Sequence, residues 1–237
     1  MKYSLVIPCY NEEKNLSLLI RKYKKFLVDP KNELILVDNG STDRTEKFLK
    51  KLNNIKNIKT IKLKKNIGFG NGLKKGILAA NGKIIIYSHA DPEVDTDDTM
   101  KAIKLSEKYN LKKKIFIKAN RINKIENNWS YLSIFFSFSL TILSSILFRK
   151  KLYDIHAVPV LFSKKLFKNL NYFPNDFSID LAIYVHAKNK RYNVIRFPVK
   201  FDKKKRKYGN GNNSNTLKMI KNSLIQFYQL FQILVKQ

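Results

Sequence analysis

Ser4-Leu-Val-Ile-Pro-Cys-Tyr-Asn-Glu-Glu13 and Leu34-Ile-Leu-Val-Asp-Asn-Gly-Ser-Thr-Asp43 are the two stretches that decide the fold. Each is a short apolar run that stops abruptly in polar turn residues. Between them, Leu16, Leu19, Ile20, Tyr23 and Phe26 recur at helical spacing. The pattern predicts a β-α-β unit, which brings both strand ends to one edge of a parallel sheet. Ligands of open α/β sheets bind at that carboxyl edge.

The alternation continues. Strands are predicted at 3–7, 34–38, 58–63 and 84–88, with helices at 12–27, 43–53 and 70–80. Asp43 reads as the cap of the second helix, with Glu46 three residues on. Asp97 and Asp98 precede a helix over 98–109, and a strand follows at Ile115-Phe-Ile117. Later, Ile179-Asp-Leu181 lies on a helix and Val194–Val199 on a strand. A length of 237 residues suits one domain, or one domain with an appendage. A single cysteine, Cys9, excludes an intrachain disulfide and fits a reducing compartment. No signal peptide is expected, because the first strand begins within the first few residues.

The net charge of +29 favours polyanionic partners, and an anionic membrane surface is the one expected. Richness in Lys, Asn and Ile together accounts for part of it as compositional bias. Six of the eight residues from Lys200 to Lys207 are basic, and Arg149-Lys-Lys151 follows an apolar run. A specific nucleic-acid partner is not expected, since the basic residues are not interleaved with aromatics on a binding module.

Trp129 to Phe148 is twenty residues without a charge. Ser130, Ser133, Ser137, Thr141 and Ser144 form a small hydroxylated stripe on it, opposite Phe, Leu and Ile. Such a helix fits three placements: spanning a bilayer, lying in its interface, or packing closely on another helix. The segment 216–237 is also amphipathic, with Leu217, Ile220, Leu224, Phe227, Phe231 and Leu234 on one face. That face suits either the core or a membrane.

The first two turns, Pro8-Cys-Tyr-Asn-Glu12 and Asp38-Asn-Gly-Ser-Thr-Asp43, resemble the opening of the family-2 inverting glycosyltransferases. Within that family the resemblance is to the polyprenyl-phosphate sugar transferases. It implies an α/β A-type nucleotide-diphospho-sugar transferase fold: a mainly parallel sheet flanked by helices, with amphipathic membrane-interface helices. It also implies a catalytic domain over 1–215 holding an interfacial or re-entrant helix at 129–148, then a helix at 216–237. A single crossing at 129–148 would strand Asp154, Asp180 and Arg206 opposite the nucleotide. The resemblance spans roughly residues 3–215 and is most specific in the first hundred.

The resemblance also implies roles. Pro8, Tyr10, Glu12, Asp38, Asn39, Asn66 and Gly68 would bind the nucleotide, the last two from Asn66-Ile-Gly-Phe-Gly-Asn-Gly72. Asn39 replaces an Asp of the family pattern, and Phe69 stands where many relatives carry Lys. The family's Asp-x-Asp metal motif becomes His89-Ala-Asp91-Pro-Glu93 here. These alternate donors would share one side of an extended chain and hold manganese or magnesium, imidazole favouring the softer ion. Arg121, Arg206 and Lys207 would face phosphates, since a guanidinium binds phosphate oxygens bidentately. Asp154 and Asp180 are the candidate general bases.

The function implied is sugar transfer from a nucleotide sugar to a polyprenyl phosphate, by a peripheral or interfacial protein on the cytoplasmic face of the cell membrane. A glycan hydroxyl is the alternative acceptor. A catalytically weak binding or scaffold protein is the second alternative, because His89 replaces the first Asp.

Overall fold

The structure is a computed structural model; it describes residues 2–109, 114–167, 169–205 and 216–235. The elements run β1 (Tyr3–Cys9), α1 (Glu13–Leu27), β2 (Glu33–Asp38), α2 (Thr45–Lys50), β3 (Ile58–Lys62), α3 (Phe69–Ala79), β4 (Ile84–Tyr87), α4 (Thr96–Lys108), β5 (Ile115–Arg121), α5 (Tyr131–Leu147), β6 (Val160–Ser163), α6 (Ile179–Asn189), β7 (Asn193–Val199) and α7 (Thr216–Val235). The strands form one seven-stranded sheet in the order β3-β2-β1-β4-β6-β5-β7. All pairings are parallel except those of β6, which runs antiparallel to β4 and β5.

The expected β-α-β start is present. β1 and β2 are buried along their whole length, as strands covered on both faces must be. Leu16, Leu19, Tyr23 and Phe26 form the buried face of α1. Gly76 lets α3 lie directly on the sheet: a Cβ there would stand 2.2 Å from Val6 Cγ1.

Several expectations need correction. β6 has no counterpart in the sequence reading. Asp43 does not cap α2, whose cap position is Arg44; its carboxylate instead accepts from the Thr45 and Glu13 amides. Glu46 does not reach back as a capping box requires, but pairs with Lys50 and Lys62. The cap of α4 is Asp95, with Asp97 and Asp98 in its first turn.

Among the described residues no helix is long and apolar enough to cross a membrane. α5 has 17 residues, a length of about 26 Å. Its hydroxyls are satisfied locally: Ser144 Oγ donates to the Leu140 carbonyl and Thr141 Oγ1 to that of Ser137. Ser133 Oγ meets Met219 Sδ of α7 at 2.9 Å. Four of the six apolar stripe positions expected on 216–237 face outward, while Phe227 packs partly against the core. Met219, Leu230 and Ile233 are buried, whereas Leu217, Leu224, Phe231 and Leu234 are exposed. The expected boundary at residue 215 falls outside the described residues.

Candidate active site

The carboxyl ends of β1 and β2 are locked together by their turns. Asn11, at φ 56°, accepts through Oδ1 from the Thr42 amide at 2.8 Å. The Glu12 amide donates to Thr45 Oγ1, and the Arg44 amide to Glu13 Oε2. The Asn39 amide donates to the Cys9 carbonyl at 2.8 Å. Gly40 has φ 74°, and a Cβ there would meet the Asn66 amide nitrogen at 2.4 Å, so the third loop is drawn onto the second.

These turns open onto a cleft of about 1040 Å3. Pro8, Tyr10, Glu12, Asn39, Asn66 and Gly68, all expected at the nucleotide, line it. Asp38 is not among its lining residues; it is buried and accepts from the Ser41 amide, so it shapes the turn. Asn39 Nδ2 donates to the Gly68 carbonyl at 3.0 Å. The glycines after Asn66 have a second purpose that the sequence reading missed. A Cβ at Gly68 or Gly70 would collide with the backbone of residues 174–176, which packs directly on the start of α3. Phe69 stacks on Phe177 at 4.9 Å and meets the edge of His89 at 5.2 Å.

His89, Asp91 and Glu93 all line the cleft, but they are not alternate residues of an extended chain. Residues 91–94 form a turn, in which Asp91 Oδ1 accepts from the Glu93 amide at 3.2 Å. Glu93 Oε2 accepts from Lys203 Nζ at 2.7 Å, and that ammonium lies 4.4 Å from the Trp129 ring centre. Among the described residues no three His, Cys, Asp or Glu side chains converge as a metal cluster. A smaller donor set does fit. Burial lowers the His89 pKa, Asp91 is the carboxylate that acts most strongly against that shift, and the His89 Nε2 is buried without a hydrogen-bond partner. One imidazole and one carboxylate suit a divalent ion that takes its other ligands from a diphosphate and water.

Arg121 lines the cleft together with Lys203 and Lys218. It lies 4.7 Å from the centre of Trp129 and 5.6 Å from that of Phe201. Its Nε and Nη2 bind Asp154, whose Oδ2 also accepts from the Arg121 amide at 2.7 Å. Burial alone would raise the Asp154 carboxyl, but the guanidinium holds it well below the usual range. Asp154 is therefore a clamp for Arg121 and does not fit the expected role of a base. Asp180 does not reach the cleft either. It is buried and accepts from Tyr87 Oη at 2.9 Å, while its Oδ2 meets His156 Nδ1 at 3.1 Å. Arg206 and Lys207 lie outside the described residues.

The far wall comes from α5 and α7: Ser133 and Ser137 on one, Asn222, Ser223 and Gln226 on the other. Sequence reading missed these α7 residues because it took the apolar stripe as the informative face. It also missed His156, which no local motif marks.

The family-2 glycosyl transferase model matches residues 4–171. The chain belongs to glycosyl transferase family 2. The dolichyl-phosphate β-glucosyltransferase of Homo sapiens is 34% identical over 108 residues, covering 41% of this family-2 chain and 33% of the relative. The matched stretches span between 27% and 34% of the length of the curated relatives. The glucosyl-3-phosphoglycerate synthase of Mycobacterium tuberculosis, solved with Mn2+, UDP-glucose and phosphoglyceric acid, superposes with a TM-score of 0.67 at 14% identity, covering 97% of this chain and 79% of that one. S. aureus TarS with UDP-GlcNAc gives 0.60 at 17% identity, covering 99% and 70%. At these identities the likeness establishes the α/β fold of such transferases.

Proposed function

We propose that this family-2 chain transfers a sugar from a nucleotide sugar to a polyprenyl phosphate at a membrane surface. The observation that carries the reading is Arg121: a guanidinium clamped by Asp154, seated between two aromatic rings and lining the cleft. Its Nη1 makes none of the bonds to Asp154, which leaves that edge to an anionic acceptor. The relatives named for dolichyl phosphate support the same acceptor class.

The turns after β1 and β2, with Asn66 and Gly68, would hold the nucleotide. His89 and Asp91 would hold a divalent ion, which supplies charge neutralisation for the departing diphosphate. Glu93 has a different part: it fixes Lys203 over Trp129 at the rim of the cleft. An inverting transfer is a direct displacement, so the protein's work is to align the acceptor oxygen with the anomeric carbon.

The outer side supports membrane attachment. Phe135 and Phe138 of α5 are 61% and 64% exposed, and they stand with Ile142, Ile146, Leu217, Leu224 and Phe231 on the solvent side of the α5–α7 pair. An exposed apolar surface on a chain of net charge +29 matches an anionic bilayer. Sedimentation with vesicles, beside transfer of labelled sugar into detergent-solubilised undecaprenyl phosphate, tests both parts. Binding only to anionic vesicles and label in the lipid are the expected results; neither would occur if the reading is wrong.

A second reading, transfer to a saccharide hydroxyl, is favoured by Ser137 and Gln226, polar residues of the wall that α5 and α7 give the cleft. Such a wall offers hydrogen bonds to hydroxyl groups. Label in a saccharide acceptor with none in lipid phosphate would select it.

A further inference from the structure

Both carboxylates expected to act as bases are occupied, yet a third group faces the cleft from behind one of them. Asp180 has no exposed side-chain surface, and its two oxygens meet Tyr87 Oη and His156 Nδ1. Burial works against its charge, but the hydrogen bond from His156 foremost holds its pKa below the usual carboxylate value. An Asp180 carboxylate only accepts, so the hydrogen shared with His156 sits on Nδ1, and the Nδ1–H tautomer carries its lone pair on Nε2. His156 lines the same cleft as Arg121 and His89. Its Nε2 is buried and has no hydrogen-bond partner, so an incoming O–H reaches it only after a small shift of the partly exposed ring toward the cleft, a shift that the missing hydrogen bond would reward.

The geometry points to His156 as the proton acceptor for the acceptor's attacking oxygen, with Asp180 as the residue that positions it. This rests on the glycosyl-transfer reading above. The attacking group is an O–H, carried by a singly protonated phosphate monoester or by a saccharide hydroxyl. Its oxygen forms the bond to the anomeric carbon, and its proton passes to His156 Nε2. The bond from that carbon to the diphosphate oxygen breaks, and its electron pair leaves with the nucleoside diphosphate. Imidazolium then returns the proton to water. Tyr87 Oη holds the other Asp180 oxygen. Lys118, buried beside the pair, donates to the Ala157 carbonyl at 2.8 Å.

The test compares wild type with His156→Gln and Asp180→Asn, using undecaprenyl phosphate in one arm and a lipid-linked monosaccharide in the other. Donor affinity, turnover and the imidazole 15N spectrum are measured for each protein, with the His156 signals assigned by their loss in His156→Gln. The proposal expects unchanged donor affinity and a kcat lower by about 10²–10⁴-fold in His156→Gln. It expects the Nδ1–H tautomer in wild type and the Nε2–H tautomer in Asp180→Asn, whose amide donates to Nδ1. The arm that carries this loss identifies which O–H reacts. A His156→Gln turnover within threefold of wild type in both arms overturns the proposal, and so does an Nε2–H tautomer in wild type. Absence of donor binding by wild type sinks the glycosyl-transfer reading itself, and this proposal with it.

Discussion

Replacing Asp154 by Asn leaves the shape of the Arg121 clamp and removes its charge. The guanidinium then sits between Trp129 and Phe201 without a counter-ion, on a side chain 9% exposed against one that is 5% exposed. Removing one partner of a buried pair costs about 3–5 kcal/mol, because the remaining charge is left uncompensated. Unfolding entropy for a chain of 237 residues is about 0.5 kcal/mol/K, so Tm should fall by about 6–10 °C at pH 7. The pH dependence has a definite sign. The folded Asp154 pKa is depressed, so its contribution is complete above the unfolded value of about 3.9 and drains away as pH falls below it. The gap between wild type and variant should therefore be flat from pH 5 to 8 and close below pH 4. Thermal unfolding followed by circular dichroism measures it. A Tm change under 2 °C at pH 7, or a gap that widens with acid, would refute the reasoning. The double replacement Arg121→Met with Asp154→Leu removes both charges and should restore most of the lost stability, though no transfer.

Lys118 is buried, and burial brings its pKa down to about 7. The cost of keeping it folded is thus largest at and below pH 7 and vanishes as pH rises towards 10.5. Lys118→Met should be more stable than wild type at pH 7 by about 2–4 kcal/mol, after allowing for the orphaned Ala157 carbonyl, with an advantage that shrinks by pH 10 in urea titrations. Gly76→Ala places a methyl against Val6 and Val37 and should lower stability by about 1–3 kcal/mol, read as Cm in the same titrations. Changing Phe135, Phe138, Leu224 and Phe231 together to Ser should weaken partition onto anionic vesicles at least about a hundredfold, since each partly exposed side chain brings about 1 kcal/mol or more to an interface. The Tm of that variant should not move, because none of the four is buried in the core.

The opening of the fold was legible because local chemistry dictates it. Apolar runs ending in Pro8–Glu12 and Asp38–Asp43 read as strand-to-turn junctions, and the structure joins those turns to each other. What was missed depends on distant partners. β6 follows a loop in which nothing alternates, and it is a strand only because it fits between β4 and β5. The family resemblance implied a metal role for Glu93, but its partner Lys203 lies 110 positions away and no local pattern announces that pairing. The apolar stripe of α7 was visible, whereas its direction was not. Hydrophobicity alone does not say which face meets the core, and the buried contacts come from Met219, Leu230 and Ile233 between the stripe positions. His156 acquires its orientation from Asp180, 24 residues later, and neither position gives that away.

The central claim is that the turns of β1 and β2 hold a nucleotide sugar whose sugar is transferred to a lipid phosphate. It is tested most directly by incubating the protein and manganese with a panel of labelled nucleotide sugars and undecaprenyl phosphate, beside an Asp91→Asn control. The account predicts label in the lipid fraction from one nucleotide class, lost in the control and on chelation. No binding and no turnover of any nucleotide sugar by a folded protein would contradict it.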